Sequence, residues 1–174
     1  MIKYLLILVI FFSSCSEKIP DKMLNEPNGF RGFKWNSSYE TFPNLKVIPT
    51  SPEDIKLFKK LNVTAPIFHE IENDNLLYEG VKLESISYSF SSGRFYAVNL
   101  SIESEADFKK LKDFCFKKFG PSRQHPRVRG QESFHWKNGI QTFISLEEHP
   151  GYFKKEHRVF GRLNYALKGK GNEK

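Results

Sequence analysis

The sequence predicts an α+β domain in which an antiparallel sheet carries one main amphipathic helix packed on one face. Three observations predict it. Ile86, Tyr88 and Phe90 alternate with serines up to Ser92-Gly93, and Tyr96, Val98, Leu100 and Ile102 alternate again beyond it, the pattern of a half-buried hairpin. The segment from Ser104 to Gly120 carries its apolar residues in a single helical stripe. Phe134-His135-Trp136-Lys137 and Ile140-Gln141-Thr142-Phe143-Ile144 flank Asn138-Gly139, a dipeptide suited to a two-residue hairpin turn.

Gly29-Phe30-Arg31-Gly32-Phe33-Lys34-Trp35-Asn36 reads as a short strand entering a turn, with Phe33 and Trp35 toward the core. Ser37 or Ser38 then caps a brief helix over Tyr39 to Phe42. A strand at 45–48 precedes Ser51-Pro52-Glu53-Asp54, which opens a helical turn or two bearing Ile55, Leu57, Phe58 and Leu61. Ala65 to Glu72 and Leu76 to Leu83 supply one or two further strands, with Asn73-Asp74-Asn75 as a turn. In the main helix Ser104 is the N-cap, Asp107 sits at the third helical position, and Gly120-Pro121 stops the element. Phe108, Leu111, Cys115 and Phe119 fall within about 80° at 100° per residue, opposite Lys109, Asp113 and Lys117. A two-residue turn at Asn138-Gly139 pairs Trp136 with Gln141 and Phe134 with Phe143 on one face, leaving Ile140, Ile144 and Leu146 on the other. The last strand runs from Val159 to Tyr165, with Val159, Gly161, Leu163 and Tyr165 sharing a side.

Lys3, the apolar run Tyr4 to Phe12 and the small residues Ser13-Ser14 form an export signal, since the run is about half of the roughly 20 residues that span a bilayer. The organisation expected is a signal peptide at 1–14, a flexible tether at 15–28 (polar, with Pro20 and Pro27), a single domain at 29–167 and a disordered tail at 168–174. Phe12-Ser13-Ser14-Cys15 resembles the lipobox of bacterial lipoproteins, with Phe12 where that family prefers Leu. The resemblance implies that Cys15 receives a diacylglycerol, becomes the acylated first residue of the mature chain and tethers it to a membrane. Ser16 in the next position implies the outer membrane under the enterobacterial sorting rule. The stretch Gly29 to Ser37 is similar to the Gly-Phe-x-Gly-x-x-Trp-Gly-Thr/Ser opening of a loose group of uncharacterised exported bacterial proteins, with Asn36 at the position usually held by Gly. Asn tolerates left-handed backbone, so the turn survives the change.

Aromatic residues make up 15% of the chain, enough for a packed interior. With Cys15 acylated, Cys115 is the one remaining thiol, and its place in the helical stripe reads as a buried apolar side chain rather than a nucleophile. The net charge is +7, and residues 121–174 hold 11 of the 27 Lys and Arg but 5 of the 20 Asp and Glu. Such a basic third attracts an anionic glycolipid or an acidic envelope protein, and equally fits a solvated surface beside a membrane. An exported location excludes nucleic acid as partner.

No phosphate-cradling glycine loop, Gly-x-Ser-x-Gly elbow or metal-ligand spacing occurs, so the sequence points to no cofactor, no metal and no catalytic residue. Adjacent strand residues face opposite sides, which keeps Glu147-Glu148-His149, and His69 with Glu70 and Glu72, from converging on one ion. Arg123, His125, Arg127 and Arg129, stiffened by Pro121 and Pro126, form the candidate anion or partner site, which Lys154, Lys155 and Arg158 extend if the two loops share one end of the sheet. The reading is a non-catalytic binding or assembly module. One alternative is an envelope hydrolase or transferase using His135, Glu147 or His149 in a folded pocket, and another is a structural or immunity-type partner protein, which requires an exposed sheet edge or apolar patch.

Overall fold

The computed structural model describes residues 22–62, 67–124, 131–148 and 160–169. In chain order its elements are β1 (Gly29–Phe30), β2 (Phe33–Lys34), a 3₁₀ turn (Tyr39–Thr41), β3 (Leu45–Ile48), α1 (Pro52–Lys60), β4 (Phe68–Ile71), β5 (Leu77–Tyr78), β6 (Val81–Lys82), β7 (Ser85–Ser91), β8 (Arg94–Ile102), α2 (Glu105–Phe119), β9 (Arg123–Gln124), β10 (Ser133–Trp136), β11 (Thr142–Glu148) and β12 (Gly161–Leu167). The fold is dominated by an eight-stranded antiparallel sheet in the order β3-β4-β7-β8-β12-β11-β10-β9. Two meanders therefore abut along β8 and β12, and α2 carries the chain from one to the far edge of the other. β1–β2 and β5–β6 are separate two-residue ribbons.

The Ser92-Gly93 turn closes β7 onto β8, with positive φ at both residues, as the twist of a tight hairpin requires. The registers place four other features at this same end of the sheet. They are the β3–β4 connection that contains α1, the 137–141 loop, the end of α2, and Lys168-Gly169 after β12. The opposite end holds Ile102, the start of α2, Glu148 and Gly161.

Ser104 caps α2 as its sequence dictates: its Oγ accepts the Asp107 N–H at 3.1 Å. Phe108, Leu111, Cys115 and Phe119 are buried against the sheet, where Phe119 meets Trp136 and Tyr165 with ring centroids 6.1 and 6.0 Å apart. Trp136 donates its indole N–H to the Gly120 carbonyl at 2.8 Å and so fixes where the helix stops. The aromatic ribbon covers the other half of the same face. Phe30 lies 6.3 Å from Tyr88 and 5.9 Å from Tyr165, and Trp35 lies 4.9 Å from Phe95. No helix among the described residues is long and apolar enough to cross a membrane.

Two expectations are corrected. Strand β10 pairs with β11 as Trp136↔Ile144 and Phe134↔Leu146, so Asn138-Gly139 does not close a two-residue turn. Ile144 and Leu146 join Trp136 on the core face, Phe143 turns outward with His135, and Ile140 is exposed. The cause is a distant carboxylate: Glu26 accepts the backbone N–H groups of Ile140, Gln141 and Thr142 and holds 137–141 open as a five-residue loop. Second, the segment expected to be a tether is packed from Met23 onward. Met23 is buried and its N–H meets the Asn138 carbonyl, while Leu24 N–H meets the Phe119 carbonyl. The helix expected after Ser51 is present as α1, capped by Ser51, and it buries no residue; β12 runs from Gly161 to Leu167, with Val159 outside the described residues.

Candidate functional site

Strand β9 is the short outer edge of the sheet, and it brings Arg123 beside His135 in register. Because side chains alternate along a strand, Phe134 and Trp136 turn toward α2, where Phe116 meets both rings at 5.4 Å. Ser133 and His135 are thereby left on the outer face opposite Glu147 and Ser145. Pro121, Arg123, His135, Lys137 and Asn138 line a cleft of about 130 Å³ there. That volume is below the roughly 300 Å³ at which pockets begin to enclose whole small-molecule ligands, and suits a phosphate or carboxylate group. Arg123 is exposed, and Lys137 lies 5.9 Å from the Phe143 ring, so two cations stand at the rim.

His135 Nε2 contacts Ser133 Oγ at 3.0 Å and Glu147 Oε1 at 3.2 Å. A serine, a histidine and a carboxylate are thus adjacent, yet both partners use the same ring nitrogen. A nucleophile relay needs the serine on one nitrogen and the carboxylate on the other, so that the base takes a proton while its orientation is held. On one nitrogen the two contacts compete. The arrangement anchors the imidazole without activating Ser133.

Of the residues singled out in the sequence, Arg123 and His135 line this cleft, and Glu147 touches His135 beside it. His125, Arg127, Arg129, His149, Lys154, Lys155 and Arg158 lie outside the described residues, as does Cys15. His69 is buried with its ring against Tyr39 and Phe90 at 5.3 and 5.2 Å, and burial pulls its pKa below the ordinary value against a backbone hydrogen bond with Tyr88. Glu72, three residues on, is paired with Lys46 instead. Among the described residues no three His, Cys, Asp or Glu side chains are grouped to hold a metal. Cys115 is fully buried and its thiol pKa is pushed up by that burial, which leaves little thiolate for chemistry.

A second polar centre had no sequence signal. Arg31 Nη1 donates to Asp74 Oδ1 at 2.9 Å, Tyr88 OH donates to Asp74 Oδ2 at 2.7 Å, and Arg31 Nη2 donates to the Leu77 carbonyl. Its residues are 14 and 43 positions apart, and only the turn potential of Asn73-Asp74-Asn75 was visible. These groups line a hollow of about 450 Å³ with Asn44, Asn73 and Asn75. Both Asp74 oxygens are already committed within the protein, so the centre joins the 72–78 segment to the β1–β2 turn. Comparison with protein-family models, curated proteins and solved structures finds no match to this chain.

Proposed function

We propose that this protein is an envelope lipoprotein, held at a membrane by acylated Cys15, that acts as a non-catalytic binding or assembly module for an anionic group. We class its domain as α+β, with α2 as the principal packed helix. The observation that carries the binding reading is the cleft at the sheet edge, where Arg123 and Lys137 flank His135 in a space sized for one small anion. Arg offers planar paired donors to phosphate or carboxylate, and the chain continues from Arg123 directly into His125, Arg127 and Arg129. An acidic envelope protein or an anionic glycolipid of the outer membrane supplies such groups.

The test is titration of the purified protein with inorganic phosphate and with a glycolipid phosphate, followed by chemical shifts of the His135 ring. Arg123→Ala with Lys137→Ala is expected to weaken binding by about tenfold or more and to flatten its salt dependence. Unchanged affinity in that variant rejects the cleft. The anchor is checked separately: Cys15→Ser should abolish the acyl mass increment and detergent partitioning of the mature chain. The hydrolase reading draws on the proximity of Ser133, His135 and Glu147, and predicts loss of a hydrolytic activity in Ser133→Ala. The shared ring nitrogen weighs against it.

A further inference from the structure

Helix α1 is the less covered of the two α-helices described. It sits in the connection between two neighbouring antiparallel strands, β3 and β4, so it projects from the tip of that hairpin at the outer edge of the sheet. None of its residues is buried, and Ile55, Leu57 and the following Leu61 are 50%, 51% and 58% exposed. At 100° per residue Ile55, Leu57, Phe58 and Leu61 fall within an arc of about 160°, and Lys56, Lys59 and Lys60 occupy the other side. The acids Glu53 and Asp54 lie in the first turn, where Asp54 is held by its cap Ser51. Ile67 and Val47 at the base of the arm are exposed as well.

An apolar stripe flanked by lysines matches the physics of a helix lying in a bilayer interface: the apolar side enters the acyl boundary and the lysines reach anionic headgroups. We propose that α1 lies in an anionic membrane surface and sets the orientation of the whole protein, with the Gly93 end of the sheet facing the lipid. Three observations select a bilayer over a protein occupant. First, Met23, where the anchor side of the chain joins the domain, donates its N–H to the Asn138 carbonyl at that same end. Cys15 is seven residues before Lys22, a reach of at most about 25 Å. Second, charge is polarised along the strands. At the Gly93 end Lys56, Lys59, Lys60, Arg94, Arg123, Lys137 and Lys168 outnumber Glu26, Glu40, Glu53 and Asp54, whereas at the other end Glu84, Glu103, Glu105, Asp107, Glu132 and Glu148 outnumber Lys109, Lys110, Lys112 and Arg162. An anionic surface attracts the first end and repels the second. Third, two copies docked through this stripe would bring their lysines together, which disfavours self-association.

The inference rests on the envelope reading for its membrane, but its test does not depend on acylation. In full-length Cys15→Ser protein, a polarity-sensitive dye is attached either to Leu57→Cys or, as the control at the opposite end, to Glu103→Cys. Both native positions are exposed and Cys115 is buried, so the fold and the labelling are preserved. With vesicles rich in phosphatidylglycerol the dye at position 57 is expected to shift to the blue, less so with phosphatidylcholine alone or in about 1 M salt, where the Debye length is near 3 Å. The dye at position 103 is expected to stay in water. An unshifted dye at 57, equal shifts at both positions, or equal shifts on the two vesicle types overturns the proposal. So does a shift that grows with protein concentration without vesicles, which would assign the stripe to a second copy. Since Cys15 is absent from both arms, failure here leaves the acylation reading standing, and failure of acylation leaves this result standing.

Discussion

Glu26 and Thr142 are joined across 116 residues, a carboxylate oxygen accepting the Thr142 N–H at 2.6 Å. The same carboxylate accepts Ile140 N–H at 2.7 Å and Gln141 N–H at 2.5 Å, so three successive amides converge on one negative charge. Amides arranged in this way form an anion-holding nest. This latch ties the segment before β1 to the loop at the Gly93 end of the sheet.

Burial pushes the Glu26 pKa up, but the hydrogen bonds from Thr142, Ile140 and Gln141 and the charge of Lys168 outweigh it and hold the carboxyl below its ordinary value of 4.5. A carboxyl lowered on folding contributes stability that is present above the unfolded pKa and lost as pH falls through the folded one. Glu26→Ala should therefore cost about 2 kcal/mol at pH 7, and its urea unfolding curve should converge on that of the wild type as pH drops below about 4. A gap between the two proteins that does not change with pH would remove the ionic part of the argument.

Asn36 has φ +65°, inside the left-handed region, and its N–H donates to the Phe95 carbonyl at 2.9 Å. Asn36→Gly should leave the melting temperature unchanged or slightly raised, whereas Asn36→Val should destabilise by about 1–2 kcal/mol because a branched side chain resists this geometry. Equal stabilities would mean that the turn relaxes elsewhere.

That position was legible in the sequence because its signal is local: the residue type alone reports the backbone it can adopt. The β7–β8 hairpin and α2 were legible for the same reason, since Ile86, Tyr88, Val98 and Leu100 alternate and Ser104 stands three residues before Asp107. The Asn138-Gly139 register was misread because Glu26, remote in sequence, overrides the local turn preference. Nor did local pattern show that β12 inserts beside β8, which requires α2 to cross three intervening strands. At the candidate site, Arg123 and His135 were visible as residue types, but their adjacency depends on an edge strand of two residues. The exposed stripe on α1 was readable as a pattern. That nothing covers it was not.

Gly161 opens β12 where Phe108 of α2 comes closest. A Cβ there would lie 2.6 Å from Phe108 Cδ2 and 2.9 Å from the Glu147 carbonyl oxygen, and the carbonyl belongs to the paired strand and cannot swing aside. Gly161→Ala should destabilise by about 1–3 kcal/mol. Adding Phe108→Leu relieves the ring contact but not the carbonyl contact, so the double variant should recover only part of the loss in denaturant unfolding. Full recovery would mean that the ring is the sole obstacle.

Asp74 joins Arg31 to Tyr88 within the aromatic interior, and Tyr78 shares a 2.9 Å hydroxyl contact with Tyr165 beside it. Burial raises the pKa of all three tyrosines; the hydrogen bond and charge of Asp74 raise Tyr88 further, and Tyr78 is pushed up to about 12. A phenol raised on folding stabilises the native state fully below its unfolded value near 10, and that stability is lost as pH climbs toward the folded value. Absorbance titration at 295 nm should therefore show Tyr78, Tyr88 and Tyr165 silent until pH approaches about 12, with the wild type losing stability progressively above about pH 10. Asp74→Ala strands Arg31 and the Tyr88 hydroxyl together and should cost about 2–4 kcal/mol at pH 7. Tyr88→Phe removes one donor and leaves the Arg31 pair intact, so its cost should be nearer 1 kcal/mol. If Tyr88→Phe proved as damaging as Asp74→Ala, the ion pair with Arg31 would not be what holds the 72–78 segment to the β1–β2 turn.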